Sequence, residues 1–272
     1  MIILGVDAAW SERNPSGLAL LQWEPGEKPS IIAIARSYDE FLNYTLGRDI
    51  DWKMCVRGSK PDFRIILEKI YSLTSEKPRV IALDLPLSPY PIIGRRACDN
   101  KVSSLYGKMG AAVHSPSADN TAVSGMVYEQ LTVAGYDLLL EANQRCFRSG
   151  AFMEVYPHIA IIKMLGLDYR LAYKVQKRSS YWKNYTSEER LENVFNSLEL
   201  LRDGLNNNIE GVQDIIPPIR EIVQKVGSSI SLIKSYEDMI DAIVCAWMGY
   251  KYVIGTATGY GDDHGVIWGP MS

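Results

Sequence analysis

The chain offers little sulfur or imidazole chemistry. Its four cysteines, Cys55, Cys98, Cys146 and Cys245, lie far apart with no C-x-x-C pair, which excludes a sequence-local zinc knuckle and suits a reducing compartment. Its three histidines, His114, His158 and His264, stand in unrelated contexts without H-E-x-x-H spacing, so none is assigned to a metal. No uninterrupted apolar run approaches the roughly 20 residues of a membrane helix. Neither sign of charge dominates: a formal net charge of -3 gives no global attraction to nucleic acid, although a local basic stripe would still supply it. The apolar opening IILGV is interrupted by Asp7, with no basic segment before it and no small-residue cleavage site after it, unlike a secretory signal. A cytoplasmic protein is expected, without repeats or low-complexity segments.

What is present is an ordinary globular composition, 47% hydrophobic and 22% charged over 272 residues, enough for one large domain or one domain carrying an insertion. Residues 2–8 read as a buried strand, followed by the Asn14-Pro15-Ser16-Gly17 turn, an apolar run from Leu18 to Trp23 and a third strand from Ile31 to Arg36. This order predicts an antiparallel meander. Phe63, Ile66, Leu67, Ile70 and Tyr71 recur at helical spacing, and Arg79 to Leu85 reads as a fourth strand. Residues 86–150 read as an insertion with a helix from about Val123 to Phe147. A strand from Phe152 to Val155 is stopped by Pro157, and helices are expected over Ala160 to Leu165, Glu188 to Leu205, Pro218 to Val226 and Tyr236 to Tyr252, before a short final strand in GVIWGP.

Four carboxylates stand where strands end or the late helix begins: Asp7 in IILGVDAAW, Asp84 in RVIALDLP, Glu154 in AFMEVYP and Asp241 in YEDMIDAIVCAW. The first three follow apolar runs of a buried sheet and so emerge at carboxyl ends, where open α/β sheets place their sites. A buried carboxylate costs several kcal/mol unless a cation or hydrogen bonds compensate; several converging acids therefore point to metal, and an all-oxygen set to Mg²⁺ or Mn²⁺. Asp238 has a structural explanation, because Ser235-Tyr236-Glu237-Asp238 matches a capping box, whereas Asp241 lies beyond it among apolar neighbours. Arg95, Arg96 and Lys101 follow Asp84, while Lys174, Lys177 and Arg178 follow Glu154. Either group is a solvated surface or a phosphate contact; Lys174 and Arg178, four apart on an expected helix, would share a face.

In order along the chain, GVDAAWSERNPSGLAL, IALDLPL, GRRACD, MEVYPHIA and EDMIDAIVCAW resemble the motifs of the domain of unknown function 429 family, whose members are regarded as nucleases with a ribonuclease H-like fold. The resemblance runs from Met1 to Pro270, and its specificity lies in the ordered combination of motifs. It implies a single domain over residues 1–272 with the insertion at about 86–150, and a mixed five-stranded sheet, three strands antiparallel and the rest parallel, flanked by helices. It also implies that Asp7, Asp84 and Asp241 bind two divalent ions. Glu154 matches the family's E-V-Y/H-P motif and is a ligand or water-orienting group.

The expected activity is phosphodiester hydrolysis of nucleic acid, with Arg95, Arg96, Lys174 and Arg178 neutralising phosphate charge. The alternatives are an actin-like phosphotransferase of the sugar-kinase type, which would show a second copy of the core, and a non-catalytic binding protein, whose acids would hold no metal.

Overall fold

Runs that are apolar at nearly every position need cover on both faces. In the computed structural model, which describes residues 1–47, 49–117, 121–140 and 150–271, they form the middle of one sheet. β1 (Ile2–Asp7), β2 (Gly17–Gln22) and β3 (Ser30–Ala35) make the antiparallel meander. After α1 (Tyr38–Leu42) and α2 (Phe63–Thr74), β4 (Pro78–Leu83) runs parallel to β1. Next come α3 (Ala97–Tyr106), α4 (Ala122–Val133) and the short β5 (Asp137–Leu138), then β6 (Ala151–Val155), parallel to β4. Six helices follow: α5 (Pro157–Leu165), α6 (Arg178–Tyr181), α7 (Ser187–Asn208), α8 (Val212–Ile215), α9 (Ile219–Val226) and α10 (Ile230–Val253). The hairpin of β7 (Ala257–Asp262) and β8 (Gly265–Pro270) comes last.

The fold is mixed α/β, with strand order β3-β2-β1-β4-β6-β8-β7 and β5 paired to β6. The described residues thus hold eight strands where five were expected. Two of the additions are hidden by composition, because ATGYGD is glycine-rich and β5 is two residues long. Side chains alternate along the strands as a period of two requires. Ile3, Val80, Ala82 and Met153 pack with α5, α7, α9 and α10, while Leu4, Val6, Ile81, Leu83 and Phe152 pack with α1, α2 and α4.

Three local expectations need correction. The helix predicted from Val123 ends at Val133, and Gly135 beyond it takes φ 87°, a left-handed conformation that favours glycine; the part of that prediction over residues 141–149 lies outside the described residues. Pro157 opens α5 as its first residue, since a helix start needs no N–H there. Helix α10 begins at Ile230, with the Ser229 side chain accepting from the Leu232 N–H at 3.1 Å. Ser235 to Asp238 therefore lies inside the helix, and the capping role expected of Asp238 is wrong.

Candidate functional site

Parallel pairing brings the ends of β1 and β4 together. Asp7 is the last residue of β1, Asp84 follows β4 directly, and the Asp84 N–H donates to the Val6 carbonyl at 2.9 Å. Helix α10 crosses this end of the sheet at unusually close range, because two glycines leave room for it. A Cβ on Gly5 would strike the Ala242 carbonyl, and one on Gly17 the Asp238 carbonyl. That contact sets Glu237, Asp238 and Asp241, each no more than 5% exposed, over the sheet ends.

Burial, followed by repulsion from Asp238, pushes Asp7 up to about 7. Burial, then Asp7 and Asp241 among its neighbours, raise Asp84 well above the ordinary carboxylate range, against the opposing field of Lys174. Asp241 is fully buried, accepts from the Tyr173 hydroxyl at 2.7 Å and from Lys174, and is pushed up to about 6, chiefly by burial. Burial acts upward on Glu237 too, but Lys174 at 3.2 Å, Lys234 at 3.0 Å and the Val175 N–H at 2.7 Å outweigh it and hold this carboxylate below its usual value. Lys234 also binds Asp238. Five carboxylates thus face two ammonium groups, and the cluster keeps an excess of negative charge.

Asp7, Asp84 and Asp241 act on one another electrically although 234 residues separate the first from the last. Glu154, level with Leu83 in the sheet, is buried beside them but committed elsewhere. The Arg96 guanidinium grips it at 2.6 and 2.7 Å, and the Leu87 N–H donates to it at 2.7 Å. Burial still raises its pKa against these partners.

The expected phosphate clamp is dispersed. Arg96 holds Glu154, Asp99 and the Leu87 carbonyl. Arg95 ties the Asn100, Ser103 and Ser115 side chains to the loop at Val113. Lys174 lies in the acid cluster, and Arg178 donates to the Val175 carbonyl at 2.8 Å. A single 3₁₀ turn, Val175–Lys177, separates Lys174 from α6, so the shared helical face expected of Lys174 and Arg178 does not form. Sequence reasoning missed Lys234, Glu237 and Tyr173. The first two carried a signal, since Lys234 precedes Glu237 and Asp238 by three and four residues on one helix.

The donor chemistry fits a hard divalent ion, because every acid here offers oxygen and the part-exposed Asp7 and Asp84 have no ion pair among the described residues. Those residues contain no group of three or more His, Cys, Asp or Glu side chains spaced to hold one ion as they stand. Lys174 and Lys234 supply the positive charge instead, and Asp7 with Asp84 is the pair left to take a metal. Beside Asp84 opens a pocket of about 170 Å³ whose wall includes Trp10, Glu154, Tyr156, His158 and Lys177.

Among the described residues no helix is long and apolar enough to cross a membrane. The family model described as "Protein of unknown function (DUF429)" matches residues 5–265, a span that includes every residue of the acid cluster. No curated protein and no solved structure matches the chain.

Proposed function

The chain belongs to the DUF429 family, and from that premise and its acid cluster we propose that it is a cytoplasmic, divalent-metal-dependent nuclease with a ribonuclease H-like core. The observation that carries the reading is the set of aspartates from β1, β4 and α10 gathered at one end of the sheet with more negative charge than its lysines neutralise. The order β3-β2-β1-β4-β6, antiparallel and then parallel, supports the core assignment, with β7 and β8 as an extension. One sheet among the described residues favours this reading over an actin-like phosphotransferase, whose core is duplicated.

Asp7 and Asp84 would hold Mg²⁺ or Mn²⁺, with Asp238 and Asp241 bounding the site. Bound there, the ion would supply an acidified water and neutralise charge on the phosphate. The chain's own residues do the rest. Tyr173 and Lys174 fix Asp241 in one orientation, and Arg96 holds Glu154 to the backbone that follows Asp84. The proton that burial keeps on Asp7 must leave before Asp7 becomes a full ligand, so cation binding competes with protons around neutral pH.

The test is cleavage of labelled single-stranded DNA, RNA, hybrid and branched substrates with Mn²⁺ or Mg²⁺. Metal-dependent cleavage that Asp84→Asn reduces on the order of 100-fold supports the reading. Intact substrates across the whole panel, with either ion, would sink it.

A further inference from the structure

The pocket beside Asp84 has an electrostatic wall that the acid cluster does not explain. Arg170 and Lys177 lie near one another, and among the described residues neither has a carboxylate within ion-pair distance. Partial burial, then Arg170 and Lys174, push the Lys177 ammonium below its ordinary value against the smaller opposing field of Glu237. Crowded cations of this kind are relieved by an anion. Lys177 itself is exposed and lines the pocket.

His158 supplies a second, independent observation. An arginine guanidinium only donates, so its contact with His158 Nε2 at 2.7 Å makes that nitrogen an acceptor. The neutral ring must then carry its proton on Nδ1. Burial, reinforced by Lys174 and Arg170, keeps the ring neutral by lowering its pKa well below the usual value. His158 is 8% exposed, and its Nδ1 has no hydrogen-bond partner among the described residues. The Nε of Arg170 is likewise buried and without a partner among them. An orphaned buried donor is costly. Tyr156 packs edge-on against the His158 ring at 5.2 Å, and Trp10 is a further aromatic residue of the pocket's wall.

We propose that this pocket receives a phosphodiester group of a single nucleic-acid strand, with Lys177 as its charged contact, the Nδ1–H of His158 as its neutral donor, and Trp10 and Tyr156 as the wall for the adjoining nucleoside. The inference rests on the nuclease reading and names the substrate's seat within it. The phosphate would lie between Lys177 and Asp84, so a divalent ion at Asp84 would strengthen its binding. Arg170 is a positioning residue that fixes the tautomer of His158. Of the four basic residues first expected to clamp phosphate, Arg96 alone lines this pocket, and its guanidinium is held by Glu154 and Asp99.

The experiment is fluorescence anisotropy of the full chain with a labelled single-stranded oligonucleotide across a salt series, in metal-free buffer and with Ca²⁺. Lys177→Ala, at an exposed position that folding tolerates, is expected to weaken binding about tenfold. It should also flatten the log–log salt dependence by roughly 0.7, the slope of one lost phosphate contact on a single strand. Lys177→Arg should restore both, and Arg64→Ala on the exposed face of α2 should change neither. His158→Asn, which places an amide N–H near the Nδ1 position, should bind better than His158→Ala. Equal, wild-type binding by both would mean that a water satisfies Nδ1, and would remove His158 from the site.

Unchanged affinity and slope in Lys177→Ala, or a wild-type chain that binds no strand, overturns the pocket assignment. Manganese-dependent cleavage measured in parallel keeps the two claims apart. Cleavage whose KM ignores Lys177→Ala overturns the pocket and leaves the nuclease reading standing. Binding that depends on Lys177 without cleavage under any metal does the reverse.

Discussion

At the scale of single residues, the site is a set of buried carboxylates held short of neutrality. Burial and the neighbouring Asp238 push Asp7 up to about 7, from the ordinary carboxylate value near 4. The folded state therefore grips this proton more tightly than the unfolded one, and the cost of ionising it is absent below about pH 4 and complete above about pH 7. Asp7→Asn is thus expected to raise stability at pH 8, on the order of 2 kcal/mol after allowance for solvent screening, and to gain much less at pH 5. Denaturant melts of both chains at the two pH values check this, and an equal difference at both would contradict it. Lys174 poses the converse case. Removing its ammonium strands the buried Asp241, while Glu237 keeps Lys234, so Lys174→Ala should cost about 3–5 kcal/mol without metal. Manganese should then raise the melting temperature of Lys174→Ala by more than that of the wild type, because the ion replaces the lost charge; equal shifts in a thermal melt would show that the ammonium and the ion do not share a site. Asp7, Asp84 and Asp241 were legible as site candidates because each interrupts an apolar run. The fates of Arg96 and Lys174 were not, since their carboxylate partners Glu154 and Asp241 lie 58 and 67 residues away.

At the scale of elements, helix α10 decides whether a site exists. Its hold on β1 and β2 depends on Gly5 and Gly17, where a methyl group would meet backbone atoms of α10 that have no flexible end to move aside. Gly5→Ala is expected to cost about 3 kcal/mol through overpacking, whereas Gly94→Ala, with nothing within 4 Å of the added carbon, should be nearly silent. Thermal denaturation of the two variants measures the contrast, and comparable melting temperatures would mean that the close approach is relieved cheaply. The inner strands were readable because cover on both faces leaves an unbroken apolar signature. The start of α10 was misread for a specific reason. Its true cap, Ser229, is followed at the third helical position by Leu232, which gives no capping-box signal, while Ser235 and Asp238 imitate one from inside the helix. The final strand in GVIWGP was readable as β8, but β7 escaped because its strand character lies in pairing with β8, from Ala257 with Pro270 to Asp262 with Gly265, and not in side chains.

At the scale of the whole molecule, a net charge of -3 conceals a division of labour. Negative charge is gathered by β1, β4 and α10 at the carboxyl ends of the parallel strands, and positive charge that forms no ion pair among the described residues by Lys177 and Arg170 beside them. Neither composition nor periodicity displays this pattern, because it arises only when the sheet brings distant segments together. The proposal that these charges serve metal-dependent chemistry has a direct test, calorimetric titration of Mn²⁺ into the metal-free chain at pH 7.5, alongside Asp7→Asn and Asp84→Asn. Saturable binding by the wild type, weakened at least about tenfold in each variant and accompanied by proton release, is the result expected. No binding by the wild type, or affinity that both variants retain in full, would contradict it.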